Sequence, residues 1–107
     1  MASTSKYSKT KAYSKYLGKN VSDFHTFQEK ITCARINYSR NKKKKGLSLS
    51  MAAKGIGITS VYLWQLETGE RTMPSAVVVH NIEKFYGFKP GELASLISEQ
   101  KAGVINE

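Results

Sequence analysis

The spacing of apolar residues in the first half of the chain predicts a long helix over Val21–Arg40. Aromatic and aliphatic residues recur there at steps of three and four, which places them on one face of a helix. These residues are Phe24, Phe27, Ile31, Ala34 and Tyr38. Ser22 is the expected N-cap, and Asp23 suits the positive end of the helix dipole. We expect this stripe to face the core.

The segment Ser48–Gly69 predicts two short helices joined by a tight turn. Ser48 and Thr59 are the expected N-caps, because a hydroxyl can accept from a free N–H in the first turn. Gly57 stands where the chain leaves the first helix and needs a positive φ. Two leucines three residues apart then bury one side of the second helix. This is the arrangement of a helix-turn-helix motif, whose second helix enters the major groove of DNA.

Two further helices complete an all-α fold. One covers residues 75–86, and its inward side is Val78, Val79, Ile82, Phe85 and Tyr86. The last helix opens at Pro90 and runs through Ile97. We therefore expect five helices around one core. The predicted division of the chain is a basic flexible arm at 1–20, the domain at 21–98 and a short polar tail at 99–107.

Positive charge is concentrated in the first 45 residues. The 107-residue chain has 17 Lys and Arg against 8 Asp and Glu, a net charge of +9. Twelve of the basic residues but only two of the acids precede Gly46. Residues 1–20 hold no acid and almost no aliphatic side chain, which predicts an arm without a packed core. This segregation favours a polyanionic partner, most simply nucleic acid, over a basic tail that only aids solubility.

The sequence offers no enzymatic chemistry. Cys33 is the single cysteine, which excludes an internal disulfide and a zinc site built from several cysteines. We find no Ser-His-Asp set, no paired carboxylates, no phosphate-cradling loop and no metal-spaced His/Cys cluster. We therefore expect no enzyme activity, no cofactor and no metal. Since there is no long apolar run and no signal peptide, we expect a cytoplasmic protein that does not bind a membrane.

The segment GLSLSMAAKGIGITSVYLWQLETGERTMPS resembles the Cro/cI-type (Xre, lambda repressor-like) DNA-binding domain. The resemblance extends over roughly residues 36–97. The matching positions are Gly46, Leu47, Ser48, Ala53, Gly57, Thr59, Leu63, Leu66, Glu67, Gly69 and Pro74. It implies a five-helix lambda repressor-like domain, here with a long first helix and a basic disordered N-terminal arm.

The resemblance also implies roles for individual residues. Base readout falls to Ser60, Val61, Tyr62 and Gln65; Gln65 would pair with adenine N6 and N7, and Val61 would contact a thymine methyl. Phosphate contacts fall to Lys42, Lys43, Lys44, Lys45, Thr59, Arg71 and Thr72. Glu67 is expected to form a structural ion pair with Arg40 or Lys42, depending on the register of the first helix. A homodimer is expected, with contacts from Leu93, Leu96 and Ile97.

The leading prediction is a sequence-specific double-stranded DNA-binding transcriptional regulator, a repressor of phage or plasmid type. The alternative is a DNA-binding antitoxin or accessory protein whose main partner is another protein. Its expected partner surface is the long aromatic helix from Phe24 to Tyr38. A third hypothesis is a basic protein that binds nucleic acid or membranes without specificity. It predicts that deletion of residues 1–20 abolishes binding.

Overall fold

The computed structural model describes residues 11–39 and 46–97, and these residues form helices and no strand. Five α-helices and one 3-10 turn have defined bounds in it. They are α1 (Lys11–Tyr16), the 3-10 turn (Val21–Asp23), α2 (Phe27–Ile36), α3 (Leu49–Ile56), α4 (Ser60–Thr68) and α5 (Ala76–Tyr86). Residues 92–97 are also helical. The predicted all-α class is confirmed for this part of the chain.

The predicted long first helix over Val21–Arg40 is wrong. Ser22 lies in the 3-10 turn, and Phe24 is extended, with φ −120° and ψ 151°. The helix begins later, at an N-cap formed by Thr26, whose hydroxyl oxygen accepts from the Glu29 N–H at 3.2 Å. α2 then has 10 residues and ends before Tyr38. The aromatic partner surface expected on a long helix is therefore not present.

The second half of the predicted arm packs against α2. Tyr16, at the end of α1, is buried beside Cys33 and Ile36. Asn37 fixes the chain that follows, because its Nδ2 donates to the Tyr16 carbonyl at 2.7 Å and its Oδ1 accepts from the Gly18 N–H at 2.6 Å. One aromatic side chain thus supplies the buried surface that the composition of the segment did not indicate. Residues 1–10 lie outside the described part of the chain.

The main core lies between α2, α3, α4 and α5. Its fully buried large side chains include Phe27, Ile31, Leu63, Leu66, Ile82 and Leu93. Nearly all of them are positions that the apolar pattern predicted to face the core. The core therefore extends from α2 to the helix at 92–97.

Leu93, Leu96 and Ile97, the residues predicted for a dimer contact, lie against this core. Leu93 is completely buried and Ile97 is 9% exposed, while Leu96 is partly buried against the same core. Glu83, a buried residue of α5, holds the 92–97 helix in place. Its carboxylate accepts from the N–H groups of Gly91, Leu93 and Ala94 at 3.0, 2.8 and 3.1 Å, so it holds the start of the 92–97 helix against α5. The apolar face of that helix is used inside the monomer.

Candidate nucleic-acid interface

Helices α3 and α4 are joined by a short turn, as the sequence predicts. The Ser48 hydroxyl oxygen accepts from the Met51 N–H at 3.1 Å, and the Thr59 hydroxyl oxygen accepts from the Tyr62 N–H at 3.0 Å. Both predicted N-caps are confirmed. Gly57 ends α3 in the left-handed region, with φ +96°. A residue with a side chain is strained there, so this glycine permits the short connection.

One side of α4 is fixed in the core by two leucines and an ion pair. Leu63 and Leu66 are completely buried. Glu67 pairs with Arg35 of α2, with Nε to Oε2 at 2.7 Å and Nη2 to Oε1 at 3.0 Å. A third guanidinium nitrogen, Nη1, donates to the Leu47 carbonyl at 2.8 Å. Arg35 therefore ties α2, the segment before α3 and the end of α4 together.

The structure gives Glu67 a different partner from the two that were predicted. The predictions named Arg40 or Lys42, since both registers assumed a helix continuing to Arg40. Because α2 ends at Ile36, its last turn brings Arg35 to Glu67 instead. The two side chains are 6% and 2% exposed. Burial raises the pKa of Glu67, and the guanidinium of Arg35 opposes that shift.

The opposite face of α4 is open and carries no charge. Val61 is 62% exposed, while Ser60, Tyr62 and Gln65 are half-buried. The one carboxylate of α4, that of Glu67, is turned into the protein. An incoming phosphate backbone therefore meets no acid on this helix. Hydroxyl, amide and apolar groups lie along it, and these are groups that contact base edges.

Arg71 lies beside this face, where the loop after α4 turns back. Gly69 ends α4 with φ +86°, so the chain reverses there. The Arg71 Nε donates to Gln65 Oε1 at 3.2 Å, and its guanidinium carbon lies 5.1 Å from the ring centroid of Tyr62. For Arg71 the sequence predicted only a phosphate contact, and its contacts with Gln65 and Tyr62 were not predicted. The signal available in the sequence was the short spacing between Gln65 and Arg71, with Gly69 between them to reverse the chain.

The other predicted phosphate contacts divide into two groups. Thr59 and Thr72 are exposed; Thr59 is the N-cap of α4 and Thr72 lies in the loop after it. The Thr59 oxygen accepts as the N-cap, which leaves its O–H free to donate. The lysines at 42–45 and Arg40 lie outside the described residues. Of the predicted phosphate contacts, only Thr59, Arg71 and Thr72 therefore lie in the described part of the chain.

Comparison with known proteins agrees with this geometry. The model of a family described as a helix-turn-helix domain matches residues 35–96, which is more than half of the chain. The chain therefore belongs to the helix-turn-helix domain family, a class of domain that binds DNA. The matched range contains Arg35, Glu67 and all of α3, α4 and α5. Neither the curated proteins nor the solved structures contain a match to this chain.

The described residues hold neither a membrane-spanning helix nor a cluster of metal-binding side chains. Across 11–39 and 46–97, no helix has the length and apolar character needed to cross a membrane. Within the same ranges, no group of three or more His, Cys, Asp or Glu side chains could hold a metal ion.

Proposed function

We propose that the chain is a sequence-specific regulator of transcription that binds double-stranded DNA and acts as a repressor of phage or plasmid type. The observation that carries the proposal is the two-sided character of α4. Its leucines and the Glu67 side chain are buried, whereas Val61 is exposed and its polar neighbours are half-buried. A helix fixed in this way can enter the major groove without loss of the core.

In this proposal, Ser60, Val61, Tyr62 and Gln65 read base edges. Gln65 pairs with adenine, and Val61 packs on a thymine methyl. Tyr62 has a double role, because its ring packs partly against the core and also lies under the Arg71 guanidinium. Its hydroxyl end is the part that reaches DNA.

Contacts to phosphate supply most of the affinity that does not depend on sequence. Thr59, Arg71 and Thr72 flank α4, and we assign phosphate contacts to them. We assign the same role to Lys42–Lys45 and to the basic side chains within residues 1–10. Each phosphate neutralised contributes about −0.9 to the slope of log K against log salt. The strong excess of basic residues before Gly46 supports a large salt dependence.

A single recognition helix reads few base pairs, so we propose that a homodimer binds DNA. Two copies would then read half-sites about 34 Å apart, which is one turn of the double helix. Leu93 and Ile97 are buried within the monomer, so this proposal assigns the dimer contact to no particular surface. Palindromic binding sites with that spacing would support the dimer.

The experiment is selection of bound duplexes from random DNA at near-physiological salt, followed by binding measurements with Gln65→Ala. We expect about 5- to 150-fold weaker binding to the selected site, corresponding to about 1–3 kcal/mol, and little change on unrelated DNA. Gln28→Ala is the matched control, since it makes the same substitution on α2 and should leave both affinities unchanged. Equal losses on selected and unrelated DNA would reject base reading by Gln65.

A further inference from the structure

Arg71 is attached to the middle of α4 at three points. Its backbone N–H donates to the Gln65 carbonyl at 3.1 Å. Its side-chain Nε donates to Gln65 Oε1 at 3.2 Å. The guanidinium carbon stands 5.1 Å from the Tyr62 ring centroid, within the range of a cation–π contact. An exposed arginine of a loop is therefore oriented towards Gln65 by both its backbone and its aromatic neighbour.

The hydrogen bond to Oε1 has a chemical consequence for Gln65. A glutamine amide has a donor end and an acceptor end, and the two differ only by a half-turn of the amide. Reading adenine requires the oxygen at N6 and the nitrogen at N7. If the amide turned over, its NH2 group would face the Nε–H of Arg71, and two donors would meet. Arg71 therefore selects one of the two orientations.

The selected orientation still leaves Gln65 able to read a base. A carbonyl oxygen has two acceptor sites, and Arg71 occupies one of them. The remaining acceptor site and both hydrogens of Nε2 can meet a base edge. A side chain held in its bound orientation also loses less conformational freedom when DNA binds.

We propose that Arg71 is a positioning residue that sets the sequence preference of Gln65. The proposal rests on the proposed function, since it concerns how the open face of α4 discriminates between base pairs. Arg71 then contributes to specificity without itself touching the base pair that it controls. This role is separate from the phosphate contact proposed for Arg71, which strengthens binding to every sequence alike.

The test uses Arg71→Lys, which keeps the positive charge but has no Nε–H fixed in a guanidinium plane. The base pair read by Gln65 is first located as the one whose preference is lost in Gln65→Ala. At that base pair, Arg71→Lys should reduce discrimination by about 5-fold or more, within the range of one bidentate contact. Its affinity for unrelated DNA and its salt slope should stay at the wild-type values.

The double variant Arg71→Lys/Gln65→Ala separates positioning from other effects. With Gln65 absent, Arg71→Lys should cause no further change at this base pair, because the two residues act through one contact. The proposal is overturned if Arg71→Lys keeps the full preference, or if the losses simply add. It is also overturned if Arg71→Ala weakens binding to all sequences by the same factor and leaves the preference at this base pair unchanged. If the wild-type protein enriches no sequence at all, the proposed function itself fails, and the positioning role fails with it.

Discussion

Replacement of Arg35 by methionine tests the contact that fixes the recognition helix. In the native chain, Arg35 and Glu67 share two hydrogen bonds, at 2.7 and 3.0 Å, and their side chains are 6% and 2% exposed. Methionine keeps most of the aliphatic length of arginine but removes the charge and all three donors. The Glu67 carboxylate then stays in the core without its partner.

The expected loss of unfolding free energy is large, because the buried charge of Glu67 is left without a compensating charge. Removing one member of a buried ion pair costs about 3–5 kcal/mol. Small domains have unfolding free energies of about 5–15 kcal/mol, so the variant should lose a large share of its stability. Replacing both residues, as Arg35→Met/Glu67→Leu, should recover most of the loss, because no charge is then buried.

The loss of stability in Arg35→Met should also increase with pH. Burial already raises the pKa of Glu67, and the loss of Arg35 removes the main opposing influence. A carboxyl group whose folded pKa lies above its unfolded value, about 4.3 for glutamate, favours the folded state below that value. This contribution is lost as pH rises through the folded pKa. The difference between Arg35→Met and the native chain should therefore be smallest near pH 4 and largest at neutral pH.

Urea unfolding followed by circular dichroism, repeated across this pH range, measures both effects. Lys15→Gln is the control, since it breaks the solvent-exposed Lys15–Glu29 ion pair, and it should change stability little at any pH. An Arg35→Met variant as stable as Lys15→Gln at neutral pH would refute the reasoning. So would a loss that does not change between acid and neutral pH.

Three further predictions concern Gly55, Glu83 and Cys33. Gly55→Ala should destabilise by about 1–3 kcal/mol, because a Cβ there would lie 2.3 Å from Phe85 Cε1; a gain in urea resistance, as helix propensity alone suggests, would contradict this. Glu83→Gln should weaken docking of the 92–97 helix and speed hydrogen exchange at the Leu93 amide, and unchanged exchange would count against it. Burial raises the pKa of the Cys33 thiol, so labelling at pH 8 should need unfolding; rapid labelling of the folded chain would be inconsistent with it.

The helix-turn-helix segment could be predicted because its signals are local. The caps Ser48 and Thr59 and the glycines at 57 and 69 each act within one turn of chain, and the structure has all four in the expected roles. The start of α2 could not be predicted as well, because Ser22-Asp23 and Thr26-x-x-Glu29 are competing start signals a few residues apart. The tertiary position of Phe27 favours the second.

The contacts that the sequence did not reveal join residues far apart in the chain. Arg35 and Glu67 are 32 positions apart, and the partner depends on where α2 ends. Gly55 weakens α3 by the measure of helix propensity alone, but the structure explains it through Phe85, whose ring occupies the space of a side chain. The apolar pattern of the last helix did not indicate that Glu83 holds Leu93 and its neighbours against α5. In each case the contact depends on tertiary packing, which the local sequence pattern does not determine.

The most direct test of the account is to map where DNA contacts the protein. A duplex selected by the protein would be titrated into isotope-labelled full-length chain, and amide chemical shifts would be followed by NMR. The account predicts that the largest changes fall at residues 59–65 and at Arg71 and Thr72, with smaller ones in the buried half of α4. Changes concentrated in residues 11–24, with α4 unaffected, would contradict it.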